Sequence, residues 1–136
     1  MKIYHFLSVM LALCLSMTLA RAQQPLTPEQ REKQLFEYVD KEVQRLSVLL
    51  ELEYWQEFYV DSTLTHDLTA MNEEMEKLQS AKVENTDLYI NVQDKWMQQI
   101  DDSYKRLFTA DQWAKYWKSG GKRAQDARDK RNKKKK

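Results

Sequence analysis

The stretch FEYVDKEVQRLSVLL, residues 36–50, decides the fold class of this chain. Its apolar residues recur at steps of 3, 4, 3 and 4, and they are Phe36, Val39, Val43, Leu46 and Leu50. That spacing places all five on one face of an α-helix. Charged residues fill most positions between them, so the helix is amphipathic and has one face to bury. The stretch therefore predicts a helix that packs against others.

The same periodicity continues towards the C-terminus. Two further stripes follow, namely Leu64, Leu68, Met71, Met75 and Leu78, and then Val92, Trp96, Ile100, Tyr104 and Leu107. No glycine or proline occurs from residue 29 to residue 119, whereas hairpins and β-sandwiches need turn residues at short intervals. We therefore predict an all-α protein of four amphipathic helices, at about 28–49, 53–81, 86–107 and 109–132, in an antiparallel, hairpin-like or bundle arrangement. Gly120 and Gly121 should break or bend the last helix.

The first 22 residues have the pattern of a cleavable signal peptide. Lys2 precedes an apolar run over residues 6–19, and Ala20-Arg21-Ala22 supplies a small-x-small cleavage site, which is the order found in secretory signals. The run is too short for a membrane anchor, which takes about 20 apolar residues. We predict a periplasmic or secreted protein with a signal peptide at 1–22, a helical domain at 23–121 and a basic, partly disordered tail at 122–136. Cleavage leaves 114 residues without cysteine, so disulfides play no part in their stability.

A short motif occurs twice, as LTPEQ at 26–30 and as FTADQ at 108–112. It has the form of a capping box, in which Thr accepts from a backbone N–H three residues on and Gln reaches back to the N–H of Thr. The motif residues are Leu26, Thr27, Gln30, Phe108, Thr109 and Gln112. A third, degraded copy is LEYWQ at 52–56, with Glu53 at the Thr position. On their own these boxes indicate only well-formed helix starts.

An exported, cysteine-free, helical chain with repeated Leu-Thr-x-x-Gln motifs resembles the Spy/CpxP family of periplasmic proteins. The resemblance implies a bent helical hairpin that pairs into a cradle-shaped homodimer. It also implies an ATP-independent chaperone or stress-response function, with partly unfolded exported proteins as partners. The family's cradle is basic, whereas residues 23–117 hold 10 Lys and Arg against 19 Asp and Glu, a net charge of −9. No client-binding residue is therefore carried over. The stretch WQEFYVDSTL, at 55–64, is also similar to small secreted proteins of Bacteroidetes-type bacteria, which adds location but no activity.

Two aromatic groups have helical spacing and two possible roles. Trp113, Tyr116 and Trp117 share one helix face, and so do Trp55, Phe58 and Tyr59. Such spacing usually marks core packing. Exposed, either group would be an apolar surface that binds unfolded chains or a partner. The sequence leaves both interpretations open.

The C-terminal segment is strongly basic. Residues 118–136 hold 10 Lys and Arg against two acids. A block of like charge repels itself and stays solvated, so the tail either solubilises the chain, folds back onto the acidic body or attaches to an anionic surface. In the envelope that surface would be lipid or lipopolysaccharide, which makes a structural or adaptor protein the alternative function. The candidate contacts are Lys122, Arg123, Arg128, Lys130, Arg131, Lys133, Lys134, Lys135 and Lys136. Export and the lack of a base-reading motif argue against nucleic acid.

Catalytic and metal-binding patterns are weak. His66 lies between Thr65 and Asp67, with Ser62 one turn earlier. A Ser-His-Asp mechanism needs a hydrogen-bonded chain, and on one helix Asp67 is expected to turn away by about 100°. We therefore expect a surface histidine and no enzyme activity. No metal site is expected either, because the ligands that zinc prefers are too few, and no cofactor is expected because no glycine-rich loop is present.

Overall fold

The computed structural model describes residues 26–134, so the predicted signal peptide at 1–22 lies outside the described residues, as do Lys135 and Lys136. The described chain divides between residues 32 and 33 into two units. Its helices are α1 (Pro28–Leu50), α2 (Tyr54–Ser80), α3 (Thr86–Leu107) and α4 (Ala110–Tyr116), followed by a π-helical turn (Trp117–Gly121) and α5 (Lys122–Lys133). No strand occurs in residues 26–134. The prediction of an all-α chain with four helical runs is confirmed, and its boundaries agree to within one residue.

The turns after α1 and α2 use a left-handed residue that is not glycine. Glu51 has φ 53° and Lys82 has φ 52°. In both turns a backbone N–H bonds to a carbonyl five residues earlier, from Leu52 to Ser47 at 3.1 Å and from Val83 to Leu78 at 3.0 Å. This is the Schellman arrangement, which normally has glycine at the left-handed position. Each turn carries a backbone cost of about 1 kcal/mol, because the left-handed residue has a Cβ.

The expected break in the last helical run occurs at the two glycines. Gly120 has φ 145° and ψ −17°, a conformation outside the helical region, which L side chains adopt only under strain. A Cβ at Gly121 would lie 3.0 Å from the Tyr116 ring. The first glycine therefore permits the kink and the second permits close packing against the preceding turn.

The buried core of residues 33–134 draws on α1, α2, α3 and the residue after α3. Its members are Val39, Leu46, Leu50, Val60, Leu64, Leu68, Ile100, Tyr104 and Phe108. Helices α2 and α3 run antiparallel, because the Glu74 carboxylate contacts Lys95 whereas Gln56, near the start of α2, bonds to the Leu107 carbonyl at the end of α3. Phe36 is the exception in the first stripe, since half of its side chain is exposed.

Candidate binding surface

A pair of glutamines, Gln56 buried and Gln112 half-buried, joins the starts of α2 and α4. The Gln56 amide donates to Gln112 Oε1 at 2.8 Å, and the Gln112 amide donates to Gln56 Oε1 at 3.0 Å. Each Oε1 also accepts the backbone N–H at the cap of its own helix, that of Glu53 or of Thr109, at 3.0 Å. The degraded motif at 52–56 and the motif at 108–112 are therefore joined into one polar unit.

The same two amides close the ends of the preceding helices. Gln112 Nε2 donates to the Leu50 carbonyl at 3.3 Å, where α1 ends. Gln56 Nε2 donates to the Leu107 carbonyl at 3.4 Å, where α3 ends. Unpaired carbonyls at a buried helix end would cost free energy. The pair α1 and α2 therefore supplies one glutamine and one terminal carbonyl to this junction, and the pair α3 and α4 supplies the same two groups.

The motif at 26–30 forms its own capping box. The Thr27 N–H donates to Gln30 Oε1 at 3.0 Å, and the Gln30 N–H donates to Thr27 Oγ1 at 3.2 Å. Leu26, Thr27 and Gln30 are exposed. The motif that pairs with residues 108–112 is therefore the degraded copy, although its Thr is replaced by Glu53. Sequence similarity to the motif is a poor guide here, because the bonds between the motifs need only the Gln side chain.

Four aromatic side chains stand exposed at the start of α2. Tyr54 is 86% exposed, Trp55 50%, Phe58 63% and Tyr59 55%, and we call these four the outer aromatic patch. Tyr59 contacts both Trp55 and Phe58 edge-on, with ring centroids 6.2 and 5.8 Å apart. The rings pack on one another while remaining open to solvent. An exposed cluster of large apolar side chains on a small protein is a feature of binding surfaces.

Exposed acidic residues flank the outer aromatic patch in the sequence, and one of them, Glu51, lies 3.5 Å from Lys115 Nζ. Glu51, Glu53 and Asp61 are exposed beside it in the sequence, and the Trp55 indole N–H donates to the Glu53 carboxylate. No lysine or arginine occurs from residue 46 to residue 76. Tyr54 was absent from the sequence-based candidates, although it lies opposite the buried stripe of the same helix. Its position around the helix axis relative to Gln56 and Val60, which are both buried, indicates that Tyr54 faces solvent.

The second aromatic group faces inwards. Trp113, Tyr116 and Trp117 are half-buried, and we call them the inner aromatic group. The Trp113 ring stacks on Trp117 with centroids 5.3 Å apart. Tyr116 meets the buried rings of Tyr104 at 5.4 Å and Phe108 at 6.0 Å. Core packing is therefore the structural role of this group.

Tyr116 also connects the core to a buried ion pair. Its hydroxyl donates to Asp101 Oδ1 at 2.5 Å, and Arg128 donates to Oδ2 of the same carboxylate. Burial raises the pKa of Tyr116 well above its ordinary value, and the hydrogen bond to Asp101 adds to that rise. Asp101 and Arg128 are both buried. Burial of charged groups is favourable only when they are paired and hydrogen-bonded, as these two are.

The basic segment is helical as far as residue 133, in agreement with the helix predicted at 109–132. Residues 122–133 form α5, which lies against α3 through Arg128 to Asp101 and through a two-point contact of Arg131 with Asp94, at 2.6 and 2.8 Å. Complementary charge explains this contact, since α3 supplies carboxylates where α5 places its arginines. The remaining predicted contacts within the described chain are exposed, and they are Lys122, Arg123, Lys130, Lys133 and Lys134.

The histidine of α2 is exposed as expected, but it contacts the neighbouring Asp67 carboxylate. His66 Nδ1 lies 2.8 Å from Asp67 Oδ1, so the neighbouring carboxylate does not turn away. Asp67 is buried and accepts from Gln99 Nε2 at 3.0 Å, while the His66 side chain is 76% exposed. The exposed ring agrees with a surface histidine, and the carboxylate serves the contact between α2 and α3.

Comparison of the chain with protein-family models, curated proteins and solved structures finds no match. Among residues 26–134, no helix has both the length and the apolar character needed to cross a membrane.

Proposed function

We propose that this chain is an exported helical protein, of hairpin or bundle type, that binds partly unfolded exported proteins without nucleotide. In this proposal residues 1–22 direct it to the bacterial envelope, where it acts as a chaperone or stress-response protein of the Spy/CpxP kind. The outer aromatic patch is the observation that carries the proposal. Evidence for membership of that family remains the motif resemblance alone.

The energetics of the outer aromatic patch suit reversible binding. Burying a large aromatic side chain removes roughly 150–250 Å² from water, and apolar burial contributes about 25 cal/mol per Å². Half-exposed rings therefore offer about 2 kcal/mol each. Association costs at least several kcal/mol in lost freedom, so four rings support weak contact rather than a permanent complex. A chaperone that works without ATP requires such release.

The test is suppression of client aggregation by the protein purified after export, with its N-terminus determined by mass spectrometry. We expect near-stoichiometric protein to suppress aggregation of a reduced secreted client. Trp55→Ser with Phe58→Ser should weaken this at least about tenfold, the change that 1.4 kcal/mol produces. Leu88→Ser is the matched control, because Leu88 is an exposed apolar residue at the start of α3. Wild-type protein without suppression, or equal loss in both variants, would overturn the proposal.

The second candidate is an adaptor held to an anionic envelope surface by α5. Its support is the set of exposed cations on that helix, since each Lys near an anionic surface contributes about 1 kcal/mol. Arg128 and Arg131 are already paired with carboxylates, which reduces the charge available for attachment. Changing Lys130, Lys133 and Lys134 to Gln should abolish binding to vesicles rich in anionic phospholipid. Unchanged vesicle binding by that variant would eliminate this candidate.

A further inference from the structure

The charge around the outer aromatic patch carries information about what it binds. An apolar surface that accepted any unfolded segment would gain nothing from an acidic border. Here the 31 residues between Arg45 and Lys77 contain eight acids and no lysine or arginine. Glu53 and Asp61 are exposed, whereas Glu51 contacts Lys115 and the half-buried Glu57 accepts a hydrogen bond from Ser47. A partner that brings negative charge to this surface meets repulsion, and one that brings positive charge meets attraction.

The ring geometry adds a second preference for cations. Trp55 and Phe58 both contact Tyr59 at interplanar angles near perpendicular, 80° and 79°. An edge-on contact covers at most one face of one of its two rings, and these side chains are at least half exposed. The open faces of Trp and Tyr attract a Lys ammonium or an Arg guanidinium. A carboxylate such as Glu53, bonded to the Trp55 indole N–H, strengthens that attraction by adding full negative charge at the ring edge. Ring faces and carboxylates together match a side chain that is apolar along its stem and positive at its tip.

We propose that the outer aromatic patch selects cationic apolar segments, in which Lys or Arg alternates with large apolar residues. This inference rests on the proposed function and names its substrate class. The apolar residues of the segment cover the rings, and its cations pair with Glu53 and Asp61. Segments of equal hydrophobicity with acidic residues are excluded by the same carboxylates.

The basic helix α5 of the same chain makes its charged contacts with α3, within the described residues. Arg128 and Arg131 bind Asp101 and Asp94 on α3. Asp101 and then Asp94 lie successively farther along α3 from Leu107. Leu107 marks the end of α3 that lies beside the start of α2. The direction of α5 is therefore away from the outer aromatic patch. A second copy could still present its exposed lysines to this surface, and the experiment separates that case.

The experiment measures binding of two fluorescent, unstructured peptides to the exported protein. One alternates Lys with Leu and Phe, and the other replaces each Lys by Glu. We expect the Lys peptide to bind at least tenfold more tightly in low salt, with the difference shrinking as salt screens the charges. Glu53→Gln with Asp61→Asn should remove most of the difference. Glu73→Gln with Glu84→Gln removes the same charge from exposed positions elsewhere and should preserve it, while thermal unfolding by circular dichroism checks that all variants fold.

Each outcome points to a different conclusion. Equal binding of the two peptides, with aggregation suppression intact, overturns the charge selection and leaves the proposed function standing. Binding of neither peptide together with absent suppression overturns both. Self-association that disappears on changing Lys130, Lys133 and Lys134 to Gln identifies a second copy as the occupant and overturns the client assignment.

Discussion

The outer aromatic patch and the inner aromatic group share one sequence pattern and have opposite environments. Trp55, Phe58 and Tyr59 are spaced as i, i+3 and i+4, and so are Trp113, Tyr116 and Trp117. The first three are at least half exposed. The second three are half-buried, with Trp113 and Tyr116 packed against the core and Trp117 stacked on Trp113. Spacing alone therefore says that three rings share a face but not which way the face points.

The paired glutamines explain the difference. Gln56 and Gln112 hold equivalent positions in α2 and α4, so each serves as a reference for the direction of the core. The outer rings start one residue before Gln56, and the inner rings start one residue after Gln112. An offset of two residues turns a helix by about 200°. The rings that begin one residue before Gln56 therefore face outwards, and those that begin one residue after Gln112 face inwards.

Equivalent positions in the two helices confirm this geometry. Val60 and Tyr116 both follow their glutamine by four residues, and both pack in the core. Phe58 and Ala114 both follow by two residues, and both are exposed. A small residue stands at that outer position in α4, whereas α2 places a large ring there. Folding does not require a ring at this position, which supports a role in binding.

The largest expected effect comes from replacing one aromatic residue of each set by alanine. Tyr116→Ala removes contacts with Tyr104 and Phe108 and should lower the free energy of unfolding by about 3 kcal/mol, as for large aromatic side chains cut back in cores. Phe58→Ala is the matched change on the outer face and should alter it by less than about 0.5 kcal/mol. Denaturant unfolding followed by circular dichroism measures both. Equal losses would mean that the two sets have the same environment and would break the comparison.

The sequence predicted the bounds of the helices better than the direction in which their aromatic side chains point. Apolar stripes located the helical runs to within one residue, because periodicity reports the buried face of a long helix directly. Trp113 and Tyr116 of the inner aromatic group belong to α4, and Trp117 begins the π-helical turn after it. With seven residues, α4 is too short for its own stripe to define a face. The junction of Gln56 with Gln112 and the pair of Arg128 with Asp101 join residues 56 and 27 positions apart. Such contacts depend on tertiary packing, which local pattern does not encode.

A smaller effect is expected at the junction that sets the rotation. Gln112→Leu leaves the buried Gln56 amide without its partner and should cost about 2 kcal/mol. Gln56→Leu should cost less, because Gln112 is only half-buried. The double variant should lose less than the sum, with a coupling of at least about 1 kcal/mol, since neither amide is then stranded. Gln30→Leu, in the exposed capping box, should cost only about 0.5 kcal/mol. Additive losses at residues 56 and 112 would contradict the paired junction.

The smallest effect concerns the ionisation of the inner aromatic group. Burial raises the pKa of Tyr116 and of Tyr104 above the ordinary value of tyrosine, 10.0. A group whose pKa is raised on folding contributes stability that is fully present below its unfolded pKa and is lost as the pH rises. Above pH 10 the unfolded chain releases these protons and the folded chain keeps them. Each tyrosine should then lower the free energy of unfolding by about 1.4 kcal/mol per pH unit.

Tyr116→Phe separates burial from the hydrogen bond to Asp101. At pH 7 the variant should lose about 1 kcal/mol, the contribution of that bond. Between pH 10 and 11 the stability of the variant should fall less steeply than that of the wild type, by about 1 kcal/mol over that unit, because the phenol proton that the folded wild type retains is absent. Tyr104→Phe should reduce the slope by a similar amount. An unchanged slope in Tyr116→Phe would mean that this ring ionises as freely as one on the surface, and the distinction between the inner and outer aromatic sets would then be lost.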